Sequence, residues 1–109
     1  MVSSVNPHVS GVKLDAGKPR VSLVLGDFSK ALWAVSQVGT FGANKYTDSG
    51  WLDVPDGVNR YADAQLRHCL LAEQGERFDS ESEMLHVAHE AWNCLAKLEL
   101  ILQTQGDKQ

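Results

Sequence analysis

His86, His89 and Asn93 recur at i, i+3 and i+7 in the C-terminal third of this 109-residue chain. At about 100° per residue they share one stripe of a helix, presenting groups able to ligate a metal or hold a phosphate. Upstream, Arg67 and His68 end a second helical pattern, and Glu76 and Asp79 lie in the short link between the two. A link this short makes the helices antiparallel neighbours, so one small volume is expected to collect His68, His86, His89, Glu76, Asp79 and the cation Arg67. Imidazoles, carboxylates and a guanidinium together fit a metal-assisted or phosphate-directed chemistry.

Each group also has a plain structural reading. Histidines beside an amphipathic seam are commonly half-exposed. Ser80 and Glu83 match a capping box that would start the C-terminal helix near Glu81, which accounts for both acids without a site. Asp79 is equally readable as a turn or cap residue. Glu76 follows Gly75, a C-cap glycine by position, where a solvated glutamate is ordinary.

The elements that must position these groups are helical. Met84, Leu85, Ala88, Ala91, Trp92, Leu95, Leu98, Ile101 and Leu102 recur at three- and four-residue steps and predict a core-facing seam. Val58, Tyr61, Ala62, Leu66, Cys69 and Leu70 make the matching stripe of a helix over 58–74, broken only by Gln65. Asp27 is placed to cap a third helix over 28–38 that Gly39 would end, with a short fourth near Phe41 to Lys45. Val21 to Leu25 reads as a strand or an extended segment docked on the helices. The expected fold is all-α, a small antiparallel bundle of three to four helices with an extended N-terminal segment. Residues 1–12 read as a flexible tail, 13–103 as a single domain and 104–109 as a frayed end.

Composition narrows the partners. Apolar residues make up 43% and charged residues 22%, with a formal charge of −4 and a pI near 5.4. That balance argues against nucleic-acid and anionic-membrane binding, so an anionic ligand must be held by a local basic cluster. Cys69 and Cys94 lie on or beside apolar seams without CxxC spacing, which fits buried reduced thiols of a cytoplasmic protein and leaves pairing open. No run approaches membrane-spanning length. Gly11 to Lys18 imitates a P-loop but has five residues between glycines and Pro19 where Ser or Thr would hold Mg²⁺.

Several motifs in register carry a resemblance: Lys13-x-Asp15-x-Gly17-Lys18-Pro19-Arg20, then Phe41-Gly42-Ala43-Asn44-Lys45-Tyr46 with Trp51. Arg60, Arg67-His68, Gly75-Glu76, Asp79 and His86-x-x-His89-x-x-x-Asn93 follow. Together they resemble the phage-encoded dATP/dGTP diphosphohydrolase family, small all-α proteins similar to the MazG-like nucleotide pyrophosphohydrolases. The resemblance implies hydrolysis of a purine deoxynucleoside triphosphate to monophosphate and pyrophosphate in control of the nucleotide pool, with assembly into a dimer or tetramer. MazG-like proteins hold Mg²⁺ with a Glu-Glu-x-x-Glu on one helix and a Glu-x-x-Asp on the next. Here Asp63, Arg67 and His68 face His86, His89 and Asn93 instead. Imidazole suits Mn²⁺, Co²⁺, Fe²⁺ or Zn²⁺ better than Mg²⁺.

On this reading His68, Asp79, His86 and His89 hold a divalent cation, with Glu76 as a possible substitute for Asp79. Glu76 or Glu90 orients a water as general base. Arg67 acts on the leaving pyrophosphate with Arg60, Lys45 and Lys18, while Arg20 adds charge from the N-terminal segment. Tyr46 and Trp51 offer purine-stacking faces and Asn93 a polar contact. A protein that binds nucleotides without hydrolysing them is the competing expectation. An HD-type triphosphohydrolase is disfavoured, since no His-Asp dipeptide occurs.

Overall fold

The computed structural model describes residues 15–106, which form α1 (Ser22–Leu25), α2 (Ser29–Lys45), a 3-10 turn (Gly50–Asp53), α3 (Gly57–Glu73) and α4 (His86–Gly106). Among the described residues there is no strand, only an isolated antiparallel bridge between Phe78 and Leu85. The fold is an all-α bundle. The most extensive packing is α3 against α4, with α2 laid on α4. The hairpin is antiparallel: Gly57 at the start of α3 meets Leu100 late in α4, while His68 near the end of α3 meets His86 at the start of α4.

Several local expectations are corrected. Val21–Leu25 is not extended; Leu25 and Gly26 N–H groups donate to the Val21 and Ser22 carbonyls, closing one helical turn. Phe28, not Asp27, stands at the start of α2, with no side-chain cap. Gly39 does not stop α2, which absorbs the separate short helix and runs on to Lys45. The reason is packing: a Cβ at Gly39 would lie 3.2 Å from Trp92 Nε1, so this glycine admits the indole of α4 to the helix surface. α4 continues to Gly106, into the stretch expected to fray. The expected tail at 1–12 lies outside the described residues.

The connection between α3 and α4 differs most. The Ser80–Glu83 capping box does not form, and α4 begins at His86 instead of near Glu81. Gly75, at φ 98°, closes α3: its N–H donates to Ala72 O and the Glu76 N–H to Leu71 O, the paired bonds of a Schellman motif. The loop then folds on itself. Asp79 N–H donates to Met84 O, Glu83 N–H to Asp79 O and His86 N–H to Arg77 O, while the Asp79 carboxylate accepts from the Ser82 N–H at 2.8 Å. Glu83 takes a left-handed φ of 62° as part of this turn. Asp79 won the local competition because its carboxylate organises the loop before the helix starts.

The predicted core seam of α4 is also corrected. Its buried positions are His86, Ala88, His89, Asn93 and Ala96, whereas Leu95, Leu98 and Leu102 stay about half exposed, as do Leu66 and Leu70 of α3. The polar stripe faces inward because α3 and the loop supply its histidines with hydrogen-bond partners, and among the described residues no buried side-chain N or O is left unpaired. Cys69 is half-buried, Cys94 is exposed rather than buried, and both are free.

Two glycine substitutions separate these roles. Gly42→Ala, with open space around the added methyl, is expected to stabilise by about 0.5–1 kcal/mol through helix propensity. Gly75→Ala, forced to keep a positive φ, is expected to cost about 1–2 kcal/mol. Thermal melts followed by circular dichroism read both, and equal midpoints would remove the C-cap argument.

Candidate functional site

Four side chains converge where α3 ends and α4 begins. His86 is completely buried; its Nε2 lies 2.6 Å from Glu76 Oε2 and its Nδ1 2.8 Å from His68 Nδ1. In a neutral His86 ring, an Nε2–H donated to Glu76 leaves Nδ1 as a lone pair facing His68, a tautomer fixed by the loop carboxylate. Such a carboxylate–imidazole pair is the arrangement that orients a metal-ligating histidine. His68 stacks on His89, rings 4.5 Å apart and 9° from parallel. His89 Nε2 in turn meets Ser82 Oγ at 2.7 Å, and Phe41 of α2 abuts its ring edge-on.

Donor atoms of His68, Asp79 and His86 lie within 4.8 Å of one another, close enough to share a cation. Burial lowers the pKa of His68, reinforced by the neighbouring His89 and His86. Burial lowers that of His89 too, with Asp79 opposing and His86 adding to the shift. For Asp79 burial acts upward, but hydrogen bonds from Ser82 and the charges of His89 and His68 outweigh it and hold the carboxyl below its ordinary value. Unprotonated imidazoles and an ionised carboxylate are the forms that bind metals.

His68 and Asp79 of this group line one end of a cavity of about 930 Å³ between α2, α3, α4 and the 3-10 turn, with His86 buried beside them. His68, Asp79, His89 and Asn93 line that end, with Arg67, Lys45 and Glu81 around it. Lys45 Nζ contacts Glu81 Oε2 at 2.6 Å, and that hydrogen bond raises its pKa. The other end is aromatic. Trp51, Tyr61 and Trp92 meet pairwise edge-on at 5.6–6.0 Å, with Arg60 on the rim. From Tyr61 to His68 along α3 the wall runs about 10 Å at 1.5 Å per residue.

Residues 8–109 match the family model described as dATP/dGTP diphosphohydrolase, N-terminal. The chain belongs to this family. It is 32% identical over 83 residues to a dATP/dGTP diphosphohydrolase of Salmonella phage PMBT28, an alignment covering 76% of this chain and 27% of the phage protein. The chain thus corresponds to about a quarter of that relative's length. No solved structure matches it, and among the described residues no helix is long and apolar enough to cross a membrane.

In this member of the diphosphohydrolase family the expected residues are distributed unevenly. His68, Asp79 and His86 come together with Glu76 behind them. His89 adjoins the group through its stack on His68, its Nε2 3.9 Å from Asp79 Oδ2. Arg60, Arg67, Lys45, Tyr46, Trp51 and Asn93 line the cavity, Asn93 with its Nδ2 bonded to His89 O. Lys18 and Arg20 are exposed and outside the lining. Glu90 is also outside it, set beside Cys69, whose thiol pKa it raises. Sequence reading missed Ser82, because only the folded loop turns its hydroxyl to His89. Tyr61 and Trp92 were assigned to the apolar seams; their periodicity is that of core residues, and nothing in it distinguishes a core wall from a cavity wall.

The depressed histidines set a pH dependence. Both states are neutral above the ordinary value of about 6.5, where the folded-state advantage is fully present. As pH falls the unfolded chain takes up protons that folded His68 and His89 resist, so stability declines until the folded values are passed. Melts in a chelating buffer should show a falling midpoint from about pH 7.5 to about pH 5, with a shallower slope for His68→Phe. A flat midpoint in the parent protein would contradict the assignment.

Proposed function

We propose that this chain hydrolyses purine deoxynucleoside triphosphates, dATP and dGTP, to monophosphate and pyrophosphate, using a divalent cation held by His68, Asp79 and His86. The observation that carries the reading is the three-residue donor cluster, two of whose members, His68 and Asp79, line a cavity with a cationic and an aromatic end. The phage relative's name supports the substrate class.

Two imidazoles and a carboxylate fit Mn²⁺, Co²⁺, Fe²⁺ or Zn²⁺ better than Mg²⁺, which favours an oxygen shell. When bound, such a cation lowers the pKa of a water and polarises the α-phosphoryl group. The chain's own residues do the rest. Glu76 positions His86, replacing the general-base role considered for it. His89, held by Ser82, stacks on His68 and limits its rotation. Arg67 and Arg60 offer positive charge along the α3 wall, where a chain of net charge −4 must concentrate it. Lys45 keeps two of its three donors after pairing with Glu81. These cations take the triphosphate and the charge that develops on leaving pyrophosphate, with the base directed to the aromatic end. The half-exposed leucines of α3 and α4 support self-association into a dimer or tetramer.

Product chromatography after incubation with dATP or dGTP and Mn²⁺ should show the monophosphate and pyrophosphate. Asp79→Asn and His68→Ala should lower kcat by at least about 100-fold, and Glu76→Gln by about 10–100-fold. Arg67→Ala should act mainly on KM if it binds ground state and transition state alike. Tight nucleotide binding without any monophosphate would convert the assignment to a sequestering protein.

A further inference from the structure

The aromatic end of the cavity contains a donor that the fold itself does not use. Of the three polar handles there, the Tyr61 hydroxyl is committed, donating to the Trp51 carbonyl at 2.7 Å, which leaves the indole N–H groups of Trp51 and Trp92. Neither indole N–H has a hydrogen-bond partner among the described residues, and Trp92 is the one anchored against α2. No buried side-chain nitrogen or oxygen is left unpaired among them, so this N–H keeps exposed surface, on a residue that lines the cavity. It sits over Gly39 of α2, where a Cβ would come within 3.2 Å of Nε1. The indole edge rests against this glycine, which lines the same cavity.

An indole N–H donates and never accepts, so a base lodged there must present an acceptor. Adenine and guanine are opposite at position 6, one carrying an amino donor and the other an oxo acceptor, but both offer N7. A single fixed donor can serve both bases only through an atom they share. N3 is also common to them but is flanked by the deoxyribose, whereas N7 lies on the open imidazole edge.

Building on the nucleotide reading above, we propose that Trp92 is a specificity-determining residue whose indole N–H hydrogen-bonds purine N7, while Trp51 and Tyr61 pack against the base. The arrangement recognises what dATP and dGTP have in common and ignores position 6, so one site accepts both. Trp92 positions the substrate and takes no part in bond breaking, which occurs at the histidine end.

The test compares kcat/KM for dATP and dGTP with their 7-deaza counterparts, in the parent chain and in Trp92→Phe, which keeps a ring and removes the N–H. The parent should discriminate against both 7-deaza nucleotides by about 10-fold, mostly through KM, as expected for one lost hydrogen bond that leaves a donor unpaired. Trp92→Phe should lose a similar factor on the natural substrates and treat natural and 7-deaza forms alike. Equal turnover of natural and 7-deaza nucleotides by the parent overturns the role of Trp92 while leaving nucleotide hydrolysis standing, and needs no variant to fold. Discrimination that survives in Trp92→Phe overturns it as well. If the parent neither hydrolyses dATP or dGTP nor binds them by tryptophan fluorescence, the underlying reading falls together with this one.

Discussion

The hydrogen-bond satisfaction of an inward-facing polar stripe is the constraint on which this fold depends. α4 turns His86, His89 and Asn93 toward its neighbours, and each such group left unpaired would cost about 1–3 kcal/mol. Glu76, His68 and Ser82 meet the two imidazoles, and Asn93 bonds back to the His89 carbonyl. The loop therefore cannot be an indifferent connector. Gly75 must reverse the chain sharply so that Glu76 reaches His86, and Asp79 must fold the following turn so that Ser82 reaches His89. The partners that permit burial of the imidazoles also fix the orientation of their rings.

That arrangement explains why small residues sit where they do. Gly39 lets the Trp92 ring approach α2, Gly57 lets α3 close on Leu100, and Ala88 and Ala96 leave room beside the buried polar groups. Larger side chains at these points would hold the helices apart and open the histidine cluster to water. The large leucines are displaced outward instead, which leaves Leu66, Leu70, Leu95, Leu98 and Leu102 about half exposed on the α3–α4 hairpin.

Much of the architecture was legible from periodicity. The antiparallel pairing of the helix at 58–74 with the C-terminal helix, and the convergence of His68, His86, Glu76 and Asp79 at one end, follow from spacing and a short link. The loop was misread because Ser80 and Glu83 satisfy a capping pattern that competes with the Asp79 turn, and local patterns do not rank such alternatives. Gly39 was misread because a glycine that ends a helix and one that admits a neighbouring indole look identical in one dimension. Glu90 was misplaced because it lies next to His89 in the chain but points toward Cys69 across the hairpin.

Residue types and their intervals alone determined an all-helical chain, two helices carrying matched polar stripes, and an inventory of imidazole, carboxylate and guanidinium groups suited to a cation and a phosphate. Only the tertiary structure decided which face of α4 is buried, which acid holds which ring, and that Trp51, Tyr61 and Trp92 wall a cavity. The physical reason is that periodicity records which residues share a face. Whether that face becomes core, site or surface depends on the hydrogen-bond partners and the space that other segments bring to it.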